Sequence, residues 1–103
     1  MRSSRRLEFT PEADDDLRSL LADSFETWGE TQQDAYAERL STAMSQLLAH
    51  PHLGRARDDL QPGLRSLRAE SHMIYYLADE RTVTIVRLLH ARMDPSTHLH
   101  DRP

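Results

Sequence analysis

The chain has 103 residues, a formal net charge of −4, no cysteine, and thirteen basic residues that are all arginine. That length accommodates one domain with a small core, and the missing thiols exclude a disulfide framework or a thiolate zinc site. No apolar run approaches the length needed to span a bilayer, and the basic start Met1–Arg6 is not followed by a signal-like apolar stretch. A single cytoplasmic domain over 1–103 is expected, with 1–4 and 100–103 flexible. Charge is unevenly spread: residues 1–50 carry five arginines against ten acids, and residues 51–103 carry eight against seven. Strong non-specific affinity for nucleic acid needs a basic field, and this chain lacks one.

In chain order, Arg5–Phe9 alternates as a short strand, with Leu7 and Phe9 on one side. Thr10-Pro11-Glu12 reads as a helix start, with Thr10 as N-cap, Pro11 at the first helical position and acids in the first turn. Asp14, Asp15 and Asp16 continue that turn and read as a solvated helix start rather than a metal site, since consecutive helical carboxylates diverge. Ala13, Leu17, Leu20, Leu21 and Trp28 supply the core stripe, and Gly29 ends the helix. A second helix starts near Glu30 or Thr31, with the stripe Tyr36, Leu40, Ala43, Met44, Leu47 and Leu48, and ends at His50-Pro51. So short a connection predicts an antiparallel helical hairpin.

Periodicity vanishes from His50 to Gly63, where Pro51, Gly54, Pro62 and Gly63 mark a loop. Leu64–Ala69, His72–Ala78 and Thr82–His90 then read as strands, with Asp79-Glu80-Arg81 as a hairpin turn between the last two. Met93-Asp94-Pro95 breaks the final strand, and a turn over 96–100 closes the chain. The expected architecture is α+β, with the helical hairpin lying on one face of a mostly antiparallel sheet.

Both faces of the last strands are apolar. Simple alternation puts Val83, Ile85 and Leu89 on one face of the final strand and Val86 and Leu88 on the other. The strand before it offers Ile74 and Tyr76 on one side, and Met73, Tyr75 and Leu77 on the other. Two helices cover one face, so apolar surface is expected to remain for a partner on the second, unless loop 50–63 and the C-terminal tail fold over it.

Sequence motifs for nucleophilic catalysis, phosphate binding or cofactor binding are absent, and no metal or catalytic residue is assigned. His98 and His100 sit in the tail, His50 and His52 flank Pro51, and His72 opens a strand. His90, close in sequence to Arg87 and Arg92, has two readings. With those cations it could serve acid–base cleavage of RNA. As a structural residue its ring would bond to backbone and fix the turn at Met93-Asp94. The balance favours the structural role, because a lone histidine is a poor catalytic signature.

Several motifs together resemble the ParE-type toxins of the RelE/ParE toxin–antitoxin superfamily. They are Phe9-Thr10-Pro11-Glu12-Ala13 with Asp15, Asp16 and Leu17; Trp28-Gly29; His50-Pro51-His52-Leu53-Gly54-Arg55; Pro62-Gly63-Leu64-Arg65-Ser66-Leu67; Ser71-His72 and Tyr75-Tyr76; and the run Ile85–Pro95. The resemblance extends from about Leu7 to Leu99, with His50 where the family commonly has asparagine. It implies a β-α-α-β-β-β fold ending in a short turn or helix. It also implies a toxin that stabilises the cleaved DNA–gyrase state without catalysis, a metal or a cofactor. Direct sequence-specific DNA binding by this chain and membrane association are not expected.

The resemblance further implies neutralisation by a cognate antitoxin, ParD-like or of another type, in a hetero-oligomeric complex. Candidate antitoxin-binding residues are Arg65, Arg68, Met73, Tyr75, Leu77, Val86 and Leu88. Candidate target-contacting residues are Arg87, His90, Arg92, Met93, Asp94, His98 and Leu99. The competing expectations are a RelE-like mRNA endonuclease and an inactive toxin-fold partner of an antitoxin.

Overall fold

The computed structural model describes residues 5–28 and 30–99, with the side chains of residues 23–33 outside that description. The expected helix stop at Gly29 and the side chain of Trp28 therefore lie outside the described residues. Strand β1 (Arg6–Phe9) leads into helix α1 (Pro11–Trp28), followed by α2 (Glu30–Ala49). Then come β2 (Arg55–Ala56), β3 (Arg65–Ala69), β4 (His72–Ala78), β5 (Thr82–His90) and a single turn of helix, α3 (Pro95–His98). Helix α1 starts where Thr10 caps it: the Ala13 N–H donates to Thr10 Oγ1 at 3.0 Å. That hydroxyl donates in turn to the Val86 carbonyl at 2.7 Å, so one side chain fastens the helix start to the sheet.

The sheet has five strands in the order β1-β5-β4-β3-β2. β1 runs parallel to β5, from which the helical hairpin and strands β2–β4 separate it in sequence, and the other pairings are antiparallel. This matches the expected α+β architecture, with a two-residue strand added inside the segment read as a loop. The β4–β5 turn is closed by Asp79, whose Oδ1 accepts from the N–H groups of Arg81 and Thr82 at 2.8 and 2.7 Å. Those two donors, Arg81 first, hold its carboxyl below the usual carboxylate range.

The helices bury the predicted stripes against one sheet face. Ala13 and Leu20 from α1, and Tyr36, Leu40, Met44 and Leu47 from α2, pack on Ala69, Ile74, Tyr76, Val83, Ile85 and Leu88. A second cluster lies on the opposite face, where Leu64, Tyr75, Leu89 and Leu99 are buried together with Leu60, Met73, Leu77 and Val86 packed against them.

That second cluster corrects one expectation and decides between two readings. The first concerns strand faces. Tyr75 pairs with Arg87 and Tyr76 with Ile85, so Val86 is an extra residue on β5 and the alternation slips there. Beyond the bulge, Leu88 joins the helix-side core at 3% exposure and Leu89 the opposite cluster, the reverse of simple alternation. Leu88 therefore does not lie on the second face.

The second point concerns openness, where the alternative reading holds at the centre of the face. The 50–63 segment and the tail fold over the centre of the second face, leaving Tyr75 2% exposed. Segment 50–63 is anchored rather than free. The Tyr76 hydroxyl donates to the Pro51 carbonyl at 2.9 Å and accepts from the Gly54 N–H at 2.8 Å. Gly54 is obligatory there: a Cβ would lie 2.6 Å from Tyr76 Oη and 2.7 Å from the Ser66 carbonyl. Among the described residues, Leu53 and Met93 are the large hydrophobics that stay exposed.

Candidate partner-binding groove

The second face carries a groove of about 480 Å³. From the sheet it is lined by Leu77, Thr84, Val86 and Arg87; from the start of α1 by Thr10, Pro11 and Glu12; from the loop and tail by Gln61, His98 and Leu99. Its lining combines apolar and polar groups, as in a site that takes a mixed peptide segment.

One end of the groove is built on Arg87. Its Nε donates to Asp16 Oδ2 at 2.7 Å and its second terminal nitrogen to Oδ1 at 3.0 Å. The remaining terminal nitrogen reaches the His98 carbonyl at 3.3 Å, and Asp16 Oδ2 also accepts the Leu88 N–H at 3.0 Å. With side chains 21% and 17% exposed, this is a largely desolvated two-pronged pair. The Asp16 carboxylate raises the Arg87 guanidinium above its ordinary value. Asp16 is thus not a solvated helix-start residue. It stands three residues after Ala13 and four before Leu20, both buried, and that spacing places it on the inward side of α1. The spacing was the available sequence signal. Arg87 in turn is an internal joint between α1, β5 and the tail rather than a free surface cation.

The remaining candidates separate. Arg68 is exposed and pairs in register with Met73 on the second face, while its Nε donates to the Glu70 carbonyl at 3.0 Å. Met73, Leu77 and Val86 are half-buried on that face, and Tyr75 lies beneath the tail. Arg65 shares register with Tyr76, so its side chain leaves the sheet on the helix side. There it bonds the Gly54 carbonyl at 2.7 Å and so secures the loop.

Arg92, Met93 and Asp94 are exposed beyond the end of β5. Asp94 caps α3, accepting the Ser96 N–H at 3.0 Å and the Ser96 hydroxyl at 2.8 Å. Those bonds, the hydroxyl first, lower its carboxyl below the ordinary value. Leu99 is 6% exposed in the second-face cluster, and His98 borders the groove.

His90 and Arg87 do not form a common site. His90 pairs in register with His72, and their rings meet edge to face at 5.4 Å. The His72 ring in turn packs on Tyr36 of α2 at 5.7 Å, and its Nδ1 is hydrogen-bonded to the Tyr36 hydroxyl. Burial raises the Tyr36 hydroxyl above its usual value. His90 is therefore on the helix side, while Arg87 is on the other. Its Nδ1 accepts the Arg92 N–H at 3.1 Å, which is the turn-fixing structural role. Among the described residues no group of three His, Asp or Glu side chains could hold a metal ion. No helix among them is long and apolar enough to cross a membrane.

Comparison with known proteins agrees with this architecture over nearly its whole length. The family model described as the ParE toxin of the type II toxin-antitoxin system, parDE, matches residues 7–95. Toxin ParE1 of Mycobacterium tuberculosis is 36% identical over 97 residues, covering 93% of this chain and 99% of that protein. Toxin ParE of Escherichia coli is 35% identical over 95 residues, covering 90% and 91%. Toxin ParE3 of Caulobacter vibrioides is 33% identical over 84 residues, covering 82% and 84%. The solved structure of a chromosomal ParDE toxin–antitoxin system from P. aeruginosa superposes with a TM-score of 0.71 at 18% identity, covering 86% of this chain and 98% of that one. The chain belongs to the ParE toxin family of type II toxin–antitoxin systems.

Proposed function

We propose that this protein poisons DNA gyrase by binding, without catalysis of its own, in the cytoplasm. In this reading a cognate antitoxin silences it by laying a segment into the groove beside Leu77, Thr84 and Val86. The observation that carries the antitoxin part is the groove itself. The chain covers the middle of its second face with its own loop and tail, yet leaves this channel with half-buried apolar side chains exposed to a partner. Arg68 and Met73 extend the same face and suit a segment that combines apolar and acidic residues. The non-catalytic part is favoured over RNA cleavage by the separation of His90 from Arg87 onto opposite faces. That separation takes Arg87 out of the acid–base and cation grouping the enzyme reading needs, and leaves Arg92 as the neighbouring cation.

Induced expression with and without the antitoxin tests this reading. Growth should stop with the chain alone and recover on co-expression. Thr84→Arg should fill the groove while keeping the fold, since Thr84 lies beside Glu8 of β1. That variant should still arrest growth but escape the antitoxin. Unchanged growth with folded wild-type protein would point instead to an inactive partner, and full rescue of Thr84→Arg would move the antitoxin site elsewhere.

A further inference from the structure

The outer edge of β1 is a row of open backbone groups. β1 stands at one end of the sheet. Toward β5, the Arg6 N–H reaches the Arg81 carbonyl at 2.8 Å and the Thr10 N–H reaches the Ile85 carbonyl at 3.0 Å. Alternation along a parallel strand then turns the main-chain groups of Leu7 and Phe9 the other way. Nothing among the described residues bonds to them there. Arg6 and Glu8 are both exposed and form an ion pair at 3.5 Å. By their register with Thr82 and Thr84 they lie on the face opposite the helices.

We propose that β1 is a self-pairing edge: two copies of this chain join antiparallel about a twofold axis at Leu7, making one sheet continuous across both. Charge order selects this occupant and this register. With Leu7 opposite Leu7, the two Leu7 residues exchange main-chain hydrogen bonds, and Arg6 of each copy stands across from Glu8 of the other. This is a non-hydrogen-bonded position, where cross-strand side chains approach most closely. The neighbouring registers that keep open groups facing open groups set Glu8 against Glu8 or Arg6 against Arg6, and like charge disfavours both. Charges on an edge strand ordinarily deter pairing; here their order permits it in a single alignment. A four-residue edge buries less than a permanent dimer requires, so the association is weak and reversible.

Sedimentation equilibrium on the full chain alone, from about 10 μM to about 500 μM, tests this. Wild-type protein should pass from monomer to dimer across that range. Glu8→Arg alone and Arg6→Glu alone should each weaken the dimer at least roughly tenfold, because two attractive pairs become repulsive. An equimolar mixture of the two variants should dimerise again, since each supplies the charges the other lacks. A folding defect could not produce that recovery. Monomeric wild-type protein throughout, or a mixture that stays monomeric, overturns the proposal. So does a monomeric wild type in which Glu8→Arg instead weakens binding of the antitoxin, which would assign the edge to that partner.

Discussion

Arg87 and Asp16 stand 71 positions apart in sequence and meet through two charge-assisted hydrogen bonds of 2.7 and 3.0 Å. The pair fastens the first turns of α1 to β5 just past the Val86 bulge, and the Leu88 N–H and the His98 carbonyl complete it. The bulge and the ion pair belong together. The extra residue on β5 is what keeps Arg87 on the second face while Leu88 turns into the helix-side core.

Asp16→Ala should therefore be disproportionately costly for a change within an acidic run. It leaves a largely desolvated guanidinium and a backbone N–H without their acceptor. The expected loss is about 1–3 kcal/mol in urea unfolding, less than for a fully buried pair because both side chains keep some water contact. Asp15→Ala, at an exposed position one residue away, should change stability by less than about 0.5 kcal/mol. Equal effects from both would remove Asp16 from the joint.

Tyr76 makes the pH dependence specific. Burial raises its hydroxyl above the ordinary value of 10.0, so the folded chain resists ionising it while the unfolded chain does not. The corresponding stability is fully present below the unfolded value and is lost as pH rises through the folded one. Denaturation followed across the alkaline range should show stability falling above about pH 10. Tyr76→Phe should be less stable at neutral pH by about 1–3 kcal/mol, because the Gly54 N–H loses its acceptor. Its alkaline slope should also be shallower; an unaltered slope would assign that limb to other groups.

Gly54→Ala tests the same anchor from the loop side. A methyl group 2.6 Å from Tyr76 Oη must displace the tyrosine or the loop, at a cost of about 1–3 kcal/mol. Faster hydrogen exchange at Leu64 and Tyr75 should accompany the loss, since segment 50–63 covers them. A variant as stable and as protected as wild type would contradict the anchoring role.

His90→Ala should leave growth arrest intact. The substitution removes the acceptor for the Arg92 N–H in an exposed turn, for a loss of about 1 kcal/mol or less. Lost toxicity in a chain that still folds and still binds its antitoxin would revive RNA cleavage if gyrase were unaffected by the wild type, and otherwise make His90 a target contact.

The order of elements was legible because the punctuation is strong. Thr10-Pro11 starts α1, Pro51 follows the end of α2, and Asp79 closes the last hairpin. The helix stripes were equally plain, since Tyr36, Leu40, Met44 and Leu47 keep one spacing and one environment. Two things could not be decided by alternation and periodicity. A bulge adds one residue without any local composition change, so Leu88 and Leu89 were assigned to the wrong faces. The self-covering of the second face depends on Leu60 and Leu99, isolated apolar residues whose partners lie far away in sequence. Asp16 was hidden differently: its neighbours are acids, and only its place on the inward side of α1 sets it apart.

The central claim is best tested with purified gyrase, plasmid DNA and folded toxin, scoring linear DNA after detergent and protease treatment. Linear DNA should accumulate with increasing protein and disappear when the cognate antitoxin is added first. Undiminished supercoiling and no linear product, with gyrase shown to be active, would contradict gyrase poisoning.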